Sequence, residues 1–286
     1  MEQMHQQFSI PEMAEALEVS RSGFHAHRLK PRRLRRSQDA QLRSLIHRSF
    51  EQSRRSYGSP RIQLDLRAAG KRCGKNRINR LMRQDGLRAR QKRRFRPCTT
   101  DSRHGHTVAE NWLARVPTPE RPGQIWQSDI TYLPTGEGWL YLAFTIDTCS
   151  RRIVAHHCRD DLSSELATRA LERAVSLHRP VPGLIHHSDR GVQYACAAFQ
   201  QRLRFHHITP SMSRRANPYD NALAESFVAT FKAECFGGYV PASRSEAKLL
   251  AFDYIESFYN RRRRHSSLGY RSPLEFESLF PPNQPH

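Results

Sequence analysis

The sequence has no long hydrophobic run and no closely paired cysteines. None of its apolar stretches approaches the roughly 20 residues of a membrane-spanning helix. No apolar signal-peptide core follows Met1, so we expect a cytosolic protein without a membrane partner. The six cysteines include no C-x-x-C pair, which argues against a disulfide framework. The fifteen histidines have no matching zinc-binding pattern, so zinc is not expected.

Acidic residues are scarce relative to basic ones. The 286 residues include 47 Lys and Arg against 27 Asp and Glu, a net charge of +20. Residues 1–110 carry 26 of the basic residues and 10 of the acidic ones, which leaves a net +4 for residues 111–286. Such an excess exceeds what solubility needs and indicates a polyanionic partner, with nucleic acid ahead of an acidic membrane. We therefore expect the first third of the chain to bind DNA phosphates.

The first 36 residues predict a small helix-turn-helix followed by a basic linker. Pro11 suits the first turn of one helix, and Ser20 is placed to cap a second helix that carries Arg21 and Arg28. Residues 30–36 are mostly basic, which is typical of a linker that separates two units.

A second, larger helix-turn-helix is predicted over residues 37–96. Leu42, Ile46 and Phe50 keep helical spacing, Pro60 starts another helix that Gly70 ends, and residues 76–84 form a third. The basic residues on and after the third helix fit a DNA-binding fold, and the alternative is a solvated helical hairpin with a basic face. The candidate DNA-binding residues are Lys75, Arg77, Arg80, Arg83, Lys92, Arg93 and Arg94.

After an exposed linker at residues 97–121, the pattern changes to alternating strands and helices. Three successive strands read as an antiparallel meander, and a helix, a buried strand, a second helix, a short strand and a third helix follow. This order predicts a ribonuclease-H-like α/β core at residues 122–240, with a mixed five-stranded sheet and flanking helices. Residues 241–286 are predicted to form a helical extension of the core.

Three carboxylates occupy positions where this fold would bring them together. Asp129 lies within the first strand, Asp189 directly follows the buried strand, and Glu225 opens the last helix, with 35 residues between the latter two. Three such side chains can hold two hard divalent cations, the chemistry that makes and breaks phosphodiester bonds.

Taken singly, each acid can be explained by local structure alone, as a strand residue, a turn residue or a residue of a first helical turn. Four other acids compete for the role, and turns or helix capping suffice to explain them: Asp147, Asp160, Asp161 and Asp220. Lys232 is two helical turns after Glu225, on the same face, where a lysine would contact phosphate or remain a solvated side chain.

The sequence around these acids resembles a known family. The segments WQSDITY (126–132), HSDRGVQY (187–194), SMSRR (211–215), YDNALAESF (219–227), YN (259–260) and RRHSSLGY (263–270) resemble transposases of the insertion-sequence 3 family. The likeness is to OrfB, the second reading-frame product with an integrase catalytic core, and it covers residues 38–278.

The resemblance implies that Asp129, Asp189 and Glu225 are the D,D-35-E triad of the retroviral integrase superfamily, and that Lys232 helps bind the transposon end. It implies a DNA transposase with two Mg²⁺ or Mn²⁺ ions per site. One strand is cleaved at an element end, the freed 3′-hydroxyl attacks the other end to give a circular intermediate, and insertion into target DNA follows. The implied partners are double-stranded DNA (terminal inverted repeats and target), further copies of the chain on that DNA, and the product of an upstream first reading frame, in the bacterial cytosol and nucleoid.

Two features depart from the family pattern. Arg190 stands where the family often has glutamine, and no long leucine-heptad segment with an upstream helix-turn-helix is present. Two alternatives stay open at this point: a non-catalytic DNA-binding regulator, and a ribonuclease-H-type nuclease that cleaves without strand transfer. Intact acids argue against the first, and only reaction products distinguish the second.

Overall fold

The computed structural model describes residues 7–23, 32–90, 107–214 and 217–281. The main parts of the chain are the helical unit (32–90), the sheet unit (122–236) and the C-terminal arm (237–281). Helix α1 (Ile10–Ala16) precedes them, and Ser9 and Glu12 cap its first turn reciprocally. Within the described ranges, no helix is both long and apolar enough to cross a membrane.

The helical unit consists of three helices that the apolar spacing predicted. They are α2 (Arg32–Gln52), α3 (Ser59–Ala68) and α4 (Lys75–Gln84). Each presents an apolar face to the others, and the buried side chains are Leu42, Ile46, Phe50, Ile62, Leu66, Ile78, Leu81 and Met82. Gly70 has a φ of +74°, a conformation that glycine adopts without strain, so it terminates α3 as expected.

The basic linker was predicted wrongly. Helix α2 already begins at Arg32, so residues 32–36 are helical rather than a connector. Arginine is a good helix former, and a run of like charges at a helix start carries no signal that breaks the helix. Of the predicted second N-terminal helix, residues 24–31 lie outside the described residues; before them, the Ser20 hydroxyl accepts a hydrogen bond from the Gly23 N–H at 3.0 Å.

A mixed five-stranded sheet forms the centre of the sheet unit, which confirms the predicted fold class. The strands are β1 (Ile125–Thr135), β2 (Gly138–Asp147), β3 (Ile153–Arg159), β4 (Ile185–Ser188) and β5 (Thr209–Met212). Their order is β3-β2-β1-β4-β5. The first three strands are antiparallel neighbours, as the meander predicted, and β4 is parallel to both β1 and β5.

Helices cover both faces of this sheet. They are α5 (Ser164–His178), α6 (Val192–Ala195), α7 (Ala197–Phe205) and α8 (Ala222–Phe231). Leu166 and Ala170 of α5 pack on Ala143 of β2 on one face, whereas Phe227 of α8 packs on Phe144 on the other, with ring centroids 4.6 Å apart. The short helix α6 was not predicted, because four residues between two turns leave little periodicity.

The C-terminal arm is helical, although its elements are short and irregular. The sheet unit ends in a π-helical turn (Lys232–Phe236) that follows α8. In the arm, α9 (Arg244–Phe252) runs directly into a second π-helical stretch (Asp253–Tyr259). A 3₁₀ turn (Ser266–Leu268) and α10 (Pro273–Glu277) complete the arm.

The helical unit rests on the C-terminal arm through a shared core. Ile62 and Leu81 belong to the same buried apolar cluster as Phe227 and Tyr254. Polar contacts border this cluster. The Tyr57 hydroxyl accepts from the Arg264 N–H at 2.7 Å and donates to the Arg262 carbonyl at 3.2 Å. Arg264 Nε also donates to Asp65 at 2.7 Å, and Arg54 pairs with Asp253.

Candidate active site

Two of the three predicted acids lie on adjacent parallel strands. Strands β1 and β4 pair from Ile125 with Ile185 to Gln127 with His187. Asp129 is two residues beyond Gln127, and Asp189 is two residues beyond His187. Because parallel strands run in one direction, both carboxylates emerge at the same edge of the sheet. Glu225 approaches from the first turn of α8.

Asp129 is at the centre of this edge. Burial, followed by the charges of Asp189 and Glu225, raises its pKa far above the usual range. Two donors oppose this shift. The Ile130 N–H donates to Asp129 Oδ1 at 2.8 Å, and the Asn221 side-chain amide donates to the same carboxylate. The three acids therefore share one electrostatic environment.

The donor set fits hard divalent cations. In the described ranges, no three Asp, Glu, His or Cys side chains approach closely enough to hold an ion between them. Nevertheless, the site concentrates carboxylate oxygens, the ligands that Mg²⁺ and Mn²⁺ prefer. The raised pKa of Asp129 reports like charges crowded at a desolvated position, and a bound cation would offset that repulsion.

A buried polar network lies beneath the acids, and sequence reasoning missed it. Ser128 Oγ contacts Thr145 Oγ1 at 2.8 Å and His186 Nε2 at 2.7 Å, tying β1 to β2 and β4. His187 contacts the hydroxyls of Ser211 and Ser213 at 2.9 and 3.1 Å. Burial lowers the pKa of His186 to about 3 and that of His187 to about 4, so both rings stay neutral at pH 7. They hold the sheet edge in place without adding positive charge.

Tyr194 was also missed as a neighbour of the site. It is 2 % exposed, and no described group hydrogen-bonds its hydroxyl. Burial raises its pKa first, and the charges of Asp129 and Asp189 raise it further. The signal that could have found it is its position five residues after Asp189, on the short helix α6.

Lys232 lies close to Asp129, on the side that its spacing from Glu225 along the helix predicted. Its ammonium is 4.6 Å from the centroid of the Tyr132 ring, and Tyr132 in turn meets Trp139 edge to face at 5.0 Å. Burial lowers the pKa of Lys232, and the charge of Asp129 partly restores it. The lysine is therefore a half-buried cation within the field of Asp129.

The role of Asp220 differs from the prediction. It does not cap α8, whose N-cap residue, Asn221, makes no side-chain cap hydrogen bond. Asp220 instead accepts from Asn111 at 2.8 Å and from Arg214, both backbone N–H and guanidinium. Arg214 lowers the pKa of Asp220 as a result. This carboxylate ties the segment before the sheet to the loop that leads to Glu225.

Asp147 has the structural role that its position at a strand end predicted. It accepts from the backbone N–H groups of Gly123 at 2.7 Å and Ser150 at 2.8 Å. Asp161 pairs with Arg159 at 2.8 Å. These two acids therefore serve turns and local ion pairs.

The two C-terminal segments that resemble the family, at residues 259–260 and 263–270, contain residues with structural roles. Arg263 forms a two-pronged, buried ion pair with Glu234, with both contacts at 2.7 Å. Asn260 donates to and accepts from the backbone of Ile153, at 3.0 and 2.9 Å, and so fastens the arm to β3. These residues position the arm on which the helical unit rests.

The predicted DNA-binding residues fall into three groups. Lys75 and Arg83 are exposed on α4. Arg77 and Arg80 are also on α4, yet both pair with Asp39. Lys92, Arg93 and Arg94 lie outside the described residues.

Comparisons with known proteins match the helical unit and the sheet unit to known domain families. Two models described as integrase core domain match residues 119–218 and 206–273, and an HTH-like domain matches residues 37–95. The chain is 39% identical over 282 residues to transposase InsF for insertion sequence IS3A of Escherichia coli (strain K12), covering 97% of each. It is 40% identical over 268 residues to an uncharacterized 31 kDa protein of insertion element IS600 from Shigella sonnei, covering 94% of this chain and 98% of that one.

Solved structures with a similar fold are more distant. The HTLV-2 integrase catalytic core domain in complex with magnesium is 18% identical, with a TM-score of 0.44 over 55% of this chain and 98% of that one. A simian T-cell lymphotropic virus intasome chain is 16% identical, with a TM-score of 0.48 over 86% of this chain and 76% of that one.

Proposed function

The chain belongs to the insertion-sequence IS3 transposases, with an integrase core and an HTH-like domain, and from that premise we propose how its residues divide the work. The protein is a DNA transposase, a polynucleotidyl transferase of the DDE class. Its substrates, in this proposal, are the terminal inverted repeats of its element and a target duplex. Residues 37–96 hold the DNA, and residues 122–240, extended by 241–286, carry out the chemistry in the bacterial cytosol and nucleoid.

Asp129, Asp189 and Glu225 are the catalytic residues of this proposal and would hold two Mg²⁺ or Mn²⁺ ions. When bound, such ions activate an attacking oxygen near neutral pH and stabilise the leaving oxygen. The observation that carries the assignment is that Asp189 and Glu225 both raise the pKa of Asp129. Among the rival acids, the pKa values of Asp161 and Asp220 are lowered, and only one carboxylate, Glu277, adds to the effect of burial on Asp147.

The neighbours of the acids position them and the DNA. Asn221 donates to the Asp129 carboxylate and limits its rotation. The neutral His186 ring fixes Ser128, the residue before Asp129. Lys232, held over the Tyr132 ring, would contact a phosphate next to the reacting strand end.

The proposed reaction has three stages. One strand is cut at an element end, the freed 3′-hydroxyl attacks the other end, and the circular product is later inserted into target DNA. We further propose that copies of this chain assemble on the DNA, joined by the product of an upstream first reading frame.

The test is incubation of the purified full-length protein with labelled duplexes that carry the element ends. With Mg²⁺ or Mn²⁺ we expect 3′-end nicks followed by joined products. Nicks without joined products would indicate a nuclease, and DNA binding without nicks a regulator. Turnover that persists in excess chelator would contradict the two-ion site.

A further inference from the structure

The outward face of α4 carries two kinds of polar side chain. Ile78, Leu81 and Met82 face inward and are buried. The polar residues on the exposed surface differ in their contacts with the rest of the helical unit. Some form ion pairs within the unit, whereas others form no hydrogen bond or ion pair with any described group.

Arg77 and Arg80 belong to the first kind. Arg77 donates to Asp39 Oδ1 through Nε at 2.8 Å and Nη2 at 2.6 Å. Arg80 Nη2 donates to the other oxygen, Asp39 Oδ2, at 2.9 Å. Asp39 is on α2, so these two guanidinium groups hold α4 against α2. The same function extends to the end of α4, where Arg43 of α2 donates to Gln84 Oε1 at 2.7 Å.

Asn76, Asn79 and Arg83 belong to the second kind. All three are exposed, and within the described residues none of their side chains has a hydrogen-bond or ion-pair partner. Together with Arg80 and Gln84 they line an open depression of about 380 Å³. Residues 76, 79 and 83 are spaced by three and four, so they share one face of the helix.

The chemistry of this face matches base edges better than phosphates. An asparagine amide offers one donor and one acceptor, which pair with N7 and N6 of adenine in the major groove, and an arginine pairs with O6 and N7 of guanine. From residue 76 to residue 83 the helix rises about 10 Å, which spans about three stacked base pairs. Two neutral amides do not neutralise phosphate charge, so DNA binding by electrostatic attraction alone would give them no function.

We propose that Asn76, Asn79 and Arg83 read base edges in the terminal repeat, while Arg77 and Arg80 serve as braces within the helical unit. This assignment rests on the proposed function, because it presupposes that the chain recognises its element ends. Lys75, exposed at the start of the same helix, supplies a sequence-independent phosphate contact.

The test compares two duplexes of equal length, one with the terminal repeat that flanks the gene and one of scrambled sequence. Binding of the full-length protein is measured for Asn76→Ala, Asn79→Ala, Arg83→Ala and Lys75→Ala. We expect each of the first three to reduce the preference for the terminal repeat by roughly 5- to 150-fold, the value of one bidentate base contact. Lys75→Ala should weaken both complexes equally, and retained binding to the scrambled duplex shows that a variant is folded.

A second measurement links one residue to one base. Replacing single adenines of the repeat by 7-deazaadenine removes the N7 acceptor. One such position should weaken the wild-type complex and have no further effect on Asn79→Ala. If the wild type prefers the repeat and all three variants keep that preference, the base-reading assignment is overturned while the proposed function stands. If the wild type binds the two duplexes equally, the base-reading assignment is overturned, and so is the proposed recognition of the element ends.

Discussion

The ion pairs of Asp39 in the helical unit and of Glu234 in the sheet unit lie in opposite environments. In the helical unit, the ion pairs of Asp39 involve arginine side chains that are 38% and 50% exposed. In the sheet unit, Glu234 pairs with Arg263 of the arm, and each side chain is only 7% exposed. An exposed pair contributes little to stability, whereas a buried pair is expensive to break.

This difference indicates how each part is used. The pairs of Asp39 lie at a solvated surface, so removal of this carboxylate would make Arg77 and Arg80 available to a polyanion. The pair of Glu234 and Arg263 is held in a fixed, buried position, and burial and acidic neighbours make the charged form of Asp129 unfavourable. A concentration of unfavourable charge at one sheet edge is typical of a functional site.

The largest effect is expected at the carboxylate edge. Asp129→Asn, Asp189→Asn and Glu225→Gln should each reduce cleavage and joining by about a hundredfold or more, or roughly 3 kcal/mol in the barrier. The affinity for element ends should stay within about twofold of wild type, because the acids act on the reaction rather than on DNA binding. Gel assays for nicked and joined strands measure both effects.

Asp160→Asn provides the matched control, since Asp160 is an exposed acid of the same unit. It should leave activity unchanged. A residual activity above about a tenth of wild type in any of the three acid variants would remove that residue from the site.

The largest effect on stability, rather than on the reaction, is expected at the buried ion pair. Glu234→Gln leaves the Arg263 guanidinium buried without a countercharge, so we expect unfolding to require about 3–5 kcal/mol less. The melting temperature should fall by on the order of 10 °C for a chain of this size. Asp39→Asn, which breaks the exposed pairs, should lower stability by about 1 kcal/mol or less. Equal losses in the two variants, measured by urea unfolding, would erase the contrast between the two units.

Local sequence patterns predicted much of both units. Apolar spacing identified α2, α3 and α4, since residues such as Ile46 and Ile62 lie on faces that must be buried. The antiparallel meander could be read from short segments, and so could the positions of Asp129 within a strand, Asp189 directly after one and Glu225 in the first turn of a helix.

What the sequence could not predict depends on contacts between distant residues. Arg77 and Arg80 looked equivalent to Arg83, and only Asp39, 38 residues before Arg77, distinguishes them. Asp220 was interpreted as a helix cap from its position, whereas its partner Asn111 is 109 residues away. Local patterns do not specify which charged side chains meet in the folded protein.

A smaller effect concerns acid sensitivity of the sheet unit. The pKa of buried His186 is lowered to about 3, below the usual value of about 6.5. Between these values the unfolded chain binds a proton that the folded protein does not, so stability from this residue is lost as pH falls through that window. The contribution is about 1.4 kcal/mol per pH unit.

Between pH 4.5 and 6, the unfolding free energy of His186→Gln should therefore rise less steeply with pH than that of the wild type. The expected difference in slope is about 1.4 kcal/mol per pH unit. The comparison is made as a difference, because Asp129, whose pKa is raised, contributes a slope of opposite sign. Parallel pH profiles of variant and wild type would show that His186 titrates normally in the folded protein.

The smallest expected change in stability belongs to Asp39→Asn, and its main consequence is for DNA binding. Asp39 uses both carboxylate oxygens on Arg77 and Arg80, and these guanidiniums lower its pKa. Neutralising it should cost about 1 kcal/mol or less and release two cations on the surface that we propose faces DNA.

Each released guanidinium that binds a phosphate should make the slope of log affinity against log salt steeper by about 0.9. Binding to the scrambled duplex at low salt should therefore tighten, while the preference for the terminal repeat decreases because the new contacts carry no sequence information. Arg43→Ala is the matched control, since it breaks a different link between α2 and α4 without freeing Arg77. An unchanged salt slope together with a loss of several kcal/mol would mean that Asp39 stabilises the helical unit as Glu234 stabilises the arm.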